Sequence, residues 1–163
     1  YEIIFISKDK LEKSIISSLY LASLLNEAKA ILNENFLEHC RKKTQSISIR
    51  KHLDEISSIT KINEMSVKMD AEINEKVPDE SLYSIILRLR ELYLIECLKD
   101  NKKPSNKEFI SIIKKIATEE SYNAYLRIKN DIKSRKVITA EEAMALIHEI
   151  KKRIGKLRHG KKS

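Results

Sequence analysis

Within the stretch Glu80–Lys99 (ESLYSIILRLRELYLIECLK) stand the side chains best suited to chemistry: Arg88, Arg90, Tyr93 and Glu96. Guanidinium forks match phosphate oxygens in a bidentate way, and a tyrosine hydroxyl can add a donor beside them. At about 100° per residue, Ser84, Arg88 and Glu91 share one narrow polar arc and the rest of the stretch is almost wholly apolar. Such a helix is mostly buried with a thin polar edge. Arg90 aligns with Tyr83 and Cys97, off that edge, while Glu96 falls among Ile85, Leu89, Leu92 and Tyr93. A buried charge without a partner costs several kcal/mol. Two readings follow. Either Arg90 and Glu96 meet charges on neighbouring helices and fix packing, or Arg88, Arg90 and Tyr93 form the mouth of a site for an anionic substrate.

Other chemistry is poorly supplied. His39, His52, His148 and His159 sit on separate segments without zinc-site spacing. His52 with Asp54 and Glu55 reads as a solvated helix face. Asp70 and Glu72, two residues apart, point to different sides of a helix and make a poor metal pair. Arg153 followed by His159 has the spacing of the Arg–His motif of HEPN-type ribonucleases, but it spans Gly155 and enters a basic tail. No catalytic residue and no metal ligand is expected within the chain.

Composition excludes whole classes. The 163 residues contain two glycines, Gly155 and Gly160, and two prolines, Pro78 and Pro104. Residues 1–154 therefore lack the glycines of a dinucleotide turn, a phosphate-binding loop or a nucleophile elbow. The net charge is +8, and it is unevenly placed. Residues 151–163 hold Lys151, Lys152, Arg153, Lys156, Arg158, Lys161 and Lys162 with no acid, leaving 25 basic against 24 acidic residues elsewhere. That tail is either a solvated basic helix end, favourable to the helix dipole, or a nucleic-acid-binding segment. Cys40 and Cys97 are far apart without a CxxC pattern, which fits reduced thiols in the cytoplasm. No apolar run approaches the roughly 18 residues of a membrane span.

The elements that must position these side chains are helical. Glu2–Ile6 is the one good strand candidate. Helical spacing then runs from Lys8 to about Leu32 through Leu11, Ile15, Leu19, Ala22 and Leu25, which predicts one long helix. A weaker segment carries Ile49, Leu53 and Ile56, and a further one places Ile62, Met65, Met69 and Ile73 on one face. Pro78 breaks the chain before the Glu80–Lys99 helix. Ser105 with Glu108 and Thr139 with Glu142 are capping boxes, and Thr118 caps the helix between them. The last helix turns Ala143, Leu146, Ile147, Ile150 and Ile154 to one side. The expected architecture is all-α: an irregular bundle of six or seven helices with one short N-terminal strand. Residues 1–7 read as a strand or linker, 8–150 as the bundle and 151–163 as the basic helix end.

The strand ending in Phe5-Ile6-Ser7, the helix Leu11–Ala28, the run Leu87-Arg-Leu-Arg-Glu-Leu-Tyr-Leu-Ile-Glu-Cys-Leu98, the Lys/Pro turn and Ser105-Asn-Lys-Glu-Phe109 together resemble the C-terminal helical region of archaeal predicted nucleotidyltransferases, in the polymerase-β-like minimal group. The resemblance covers residues 1–25 and 85–110. It implies a preceding α/β catalytic domain with a Gly-Ser pair and an Asp-x-Asp/Glu pair holding divalent metal. No Gly-Ser pair occurs in this sequence and Asp70-Ala-Glu72 lacks that context, so no catalytic residue is carried over, and Glu2–Ile6 would be that domain's last strand or linker. The chain itself would be non-catalytic, assisting substrate binding or oligomerisation. Its implied partners are that catalytic domain, a nucleotide or nucleic acid, and a second copy of itself. A regulatory or nucleic-acid-binding module using residues 151–163, and a helical dimerisation domain, are the alternatives.

Overall fold

The computed structural model describes residues 5–159, which form eight helices and a two-stranded sheet. The helices are α1 (Lys8–Ile15), α2 (Leu19–Glu27), α3 (Glu34–Thr44), α4 (Ile49–Glu72), α5 (Asp79–Lys99), α6 (Asn106–Ile116), α7 (Glu119–Lys129) and α8 (Ala140–His159). Strand β1 (Val77–Pro78) pairs antiparallel with β2 (Lys136–Ile138), Val77 opposite Ile138. The all-α class holds.

Helix α5 is the axis of the molecule. Leu82, Ile85, Ile86, Leu89, Leu92, Ile95 and Cys97 are buried around its circumference, with α4, α7 and α8 packed along it and α2 and α6 closing the remaining side. An all-round apolar helix reaches low free energy only when wrapped in this way. Its start is fixed by the small sheet: Pro78 ends β1, and the Asp79 N–H donates to Arg135 O at 3.0 Å. Helices α4 and α8 run antiparallel, with Lys151 against Glu64 and Arg158 against Asp54. The inward face of α8 is the expected one, with Ala143, Leu146, Ile147, Ile150 and Ile154 buried.

Two expectations are corrected. The long first helix is two, because Ser14 O accepts from both the Ser17 and Ser18 N–H groups and the Ser18 hydroxyl then caps α2 through the Leu21 N–H at 3.2 Å. Serine side chains compete with the helix ladder in this way. The two weaker segments are one, the 24-residue α4. Its buried face is Leu53, Ile56, Thr60, Asn63 and Val67, so the Ile62, Met65, Met69 and Ile73 seam points outward. Of the expected N-terminal strand, Glu2–Ile4 lie outside the described residues, and Phe5–Ser7 have no regular structure. The strands among the described residues are β1 and β2.

Candidate functional site

Two residues apart on a helix means about 200° of rotation, so α5 sends Arg88 and Arg90 to opposite sides. Arg90 and Tyr93 face α6. Arg88 faces α4 and the α1–α2 turn. The structure thus divides the three expected substrate-binding residues between two clefts.

Tyr93 is buried, and its hydroxyl accepts from the Ser105 N–H at 2.8 Å and donates to the Glu108 carboxylate at 2.9 Å. This changes the expected Ser105–Glu108 capping box. The Ser105 hydroxyl does accept from the Glu108 N–H at 3.4 Å. The return bond to the cap N–H comes from Tyr93 on the neighbouring helix, and Glu108 turns to Lys102 at 2.5 Å. Lys102, and then Tyr93, hold the Glu108 carboxyl below its ordinary range. Burial pushes the Tyr93 phenol up, and the Glu108 carboxylate beside it adds to the shift against the Ser105 bond, so the hydroxyl keeps its proton. The Thr139–Glu142 box forms in full: the Thr139 N–H donates to Glu142 at 3.1 Å and the Glu142 N–H to the Thr139 hydroxyl at 3.2 Å.

Arg90 projects beside Tyr93 into a cleft of about 230 Å³ between α2, α5 and the start of α6. Its guanidinium donates to the Asn106 side-chain amide oxygen Oδ1 at 3.0 Å and, at 3.5 Å, to the Tyr125 hydroxyl, and lies 5.5 Å over the Phe109 ring. Among the described residues no carboxylate forms an ion pair with it. The first N–H groups of an α-helix have no intrahelical acceptor, and the helix dipole places partial positive charge there. Ser105 and Asn106 bring that end of α6 to the cleft, with Tyr20 and Glu27 of α2 on the opposite wall. A planar cation on neutral partners beside a helix N-terminus is suited to an anionic oxygen, with Glu27 opposing it from the far wall.

Arg88 lies in a different cleft, of about 350 Å³, with Ser18, Tyr20, His52, Glu55 and Glu91. It pairs with Glu91 at 3.1 Å, and its Nε is buried without a partner. Burial pushes the Glu91 carboxyl above its ordinary value, Arg88 partly offsets this and Glu55 adds to it. Glu96, half-buried on the same helix, meets Arg153 of α8 at 2.8 Å, and Arg153 also binds Glu149 at 2.9 Å.

The basic end is largely engaged within the bundle. Helix α8 runs unbroken through Gly155 to His159. Lys151 pairs with Glu64, Lys152 and Arg153 with Glu149, and Arg158 with Asp54. Lys156 makes no ion pair among the described residues, and Lys161 and Lys162 lie outside them. Arg153 and His159 share α8 but stand about 120° apart around it, and Arg153 is occupied by Glu96 and Glu149.

One cluster had no counterpart in the sequence reading. Asp79, fully buried at the start of α5, receives a two-pronged bond from Arg127 of α7 at 2.6 and 2.9 Å. It also accepts from the Arg135 N–H at 2.9 Å, and Arg127 reaches Glu120 at 2.6 Å. Asp79 raises the hold of Arg127 on its proton, with Glu120 assisting. An aspartate in a first helical turn ordinarily serves only the helix dipole, so nothing local marks it as the anchor joining α5, α7 and β2. Cys40 and Cys97 are buried free thiols, their ionisation pushed up by burial. Among the described residues no helix is long and apolar enough to cross a membrane. The chain matches no family model, no curated protein and no solved structure.

Proposed function

We propose that this chain is a non-catalytic helical domain that holds a phosphate-bearing ligand at Arg90, in the service of a nucleotidyltransferase catalytic domain joined to it. The observation that carries the reading is the state of Arg90. Of the two α5 charges that lie off its polar edge, Glu96 has a cationic partner, whereas Arg90 rests on an amide, a hydroxyl and an aromatic face beside the N-terminus of α6. Guanidinium hydrogen bonds to neutral acceptors are weaker than those to charged ones, and phosphate oxygens would replace them favourably. The divalent metal belongs to the catalytic domain in this reading. The setting is cytoplasmic, where Cys40 and Cys97 stay reduced.

Nucleic-acid binding through residues 151–163 is less favoured, because Lys151, Lys152, Arg153 and Arg158 are already matched by carboxylates of the bundle. Isothermal titration of the purified chain with ATP tests the proposal, with inorganic phosphate as the minimal probe. Wild type binds, Arg90→Gln weakens binding about tenfold, the loss of roughly one charge-assisted hydrogen bond, and Arg88→Gln leaves it unchanged. Absence of binding at millimolar ATP, or an Arg90→Gln affinity equal to wild type, refutes the cleft. Metal-dependent nucleotide transfer by the chain alone refutes the non-catalytic assignment.

A further inference from the structure

We infer that the outward seam of α4 is a self-association surface on which two copies of the chain pair antiparallel about a two-fold axis. Ile62, Met65, Met69 and Ile73 are 65%, 66%, 65% and 66% exposed. At 100° per residue they fall within an arc of about 80° and extend about 17 Å along the helix. Isolated exposed apolar residues are ordinary, but a contiguous stripe of four on one helix face marks a contact surface. Two of the four are methionines, whose flexible thioethers adapt to an opposing surface.

Area and charge identify the occupant. Four side chains each about two-thirds exposed present roughly 500 Å², so the seams of a symmetric pair cover at most roughly 1,000 Å², the lower bound for a specific interface. Beside the seam stand Lys61 and Glu72, on the same flank and at opposite ends of it. Both are exposed, and neither forms an ion pair among the described residues. Glu72 lies at the C-terminal end of α4, whose last turn carries no basic residue, so its charge faces the negative end of the helix dipole uncompensated. In an antiparallel two-fold pair each flank meets its own copy. Ile62 then stacks on Ile73 of the second copy, Met65 on Met69, and Lys61 reaches Glu72, each contact occurring twice. A parallel pair would set Lys61 near Ile59 of the opposite flank instead, leaving Glu72 unmatched. The surface is separate from the Arg90 cleft, so the inference does not depend on the ligand assigned there.

Sedimentation velocity of the full chain over a concentration series provides the test, with circular dichroism confirming that each variant is folded. Wild type moves from monomer to dimer as concentration rises, and Met65→Glu stays monomeric. Lys61→Glu and Glu72→Lys each weaken the dimer about fivefold, and the double exchange restores it to within about twofold, as a direct pair requires. A wild-type monomer at every concentration overturns the inference, as does a dimer indifferent to Met65→Glu. Loss in both single exchanges without recovery in the double overturns the antiparallel register. A monomer that co-floats with phosphatidylglycerol vesicles assigns the seam to a lipid surface and equally overturns it.

Discussion

Replacing Asp79 by Asn keeps its size and removes its charge, which isolates the electrostatic content of the cluster at the start of α5. The carboxylate has no solvent exposure and accepts three hydrogen bonds, two from Arg127 and one from the Arg135 N–H. Removing one partner of a buried ion pair costs about 3–5 kcal/mol, mostly because the other charge stays buried. Two features place Asp79→Asn at the lower end. Arg127 retains Glu120 at 2.6 Å, and the asparagine oxygen still accepts one bond. With a urea dependence of about 2 kcal/mol/M, a loss of about 3 kcal/mol lowers the unfolding midpoint by about 1.5 M. The assay is urea denaturation followed by helical circular dichroism. A second variant, Asp79→Leu with Arg127→Met, tests the cause: with both charges removed, the loss falls below that of Asp79→Asn. A midpoint shift for Asp79→Asn corresponding to less than about 0.5 kcal/mol, the level of an ordinary surface substitution, would refute the assignment of this pair as the anchor of α5, α7 and β2.

Two further outcomes follow from single positions. Gly155 lies inside α8 and an added Cβ meets nothing within 4 Å; Gly155→Ala therefore stabilises by about 1 kcal/mol, raising Tm by about 3 °C, and a fall in Tm would place the end of the helix earlier than Gly155. Glu91 holds its proton more tightly when folded than its ordinary value of 4.5, chiefly through burial, so the folded state binds more protons across that window and stability declines as pH rises from 4.5 through the raised value. Glu91→Gln removes this decline: urea melts from below pH 4.5 to neutrality show the stability of the variant relative to wild type growing as pH rises, and a flat or reversed trend contradicts the buried setting of the carboxyl.

Local signals in the sequence survived where the physics is local. Ser105, Thr118 and Thr139 cap the helices they precede, since a cap depends on residues three positions apart. The first helix broke where apolar spacing runs on through Ile15, Ile16 and Leu19, and two serines decided the matter against it. In α4 the difficulty was different. Two seams with the same period coexist, and the buried one includes Thr60 and Asn63 while the exposed one is wholly apolar. Thr60 is tolerated inside because its hydroxyl donates to Ile56 O at 2.6 Å. Periodicity locates a face and says nothing about which of two faces meets the core; that is settled by α5 and α8 packing on α4.

The candidate site follows the same division. Helical rotation alone singles out Arg90 and Glu96 as charges away from the polar edge of α5, because rotation is set by position on one helix. What each charge meets is set by segments up to 57 residues away: Arg153 for Glu96, and Asn106 with Tyr125 for Arg90. Grouping Arg88 with Arg90 would have required one helix to turn through about 200° in two residues and still face one cleft. Tyr93 shows how a candidate ligand group can be spent on the fold, since its hydroxyl completes the cap of α6. That bond in turn holds the α6 N-terminus beside Arg90, so the residue that surrenders its own hydroxyl is the one that brings the helix end to the guanidinium.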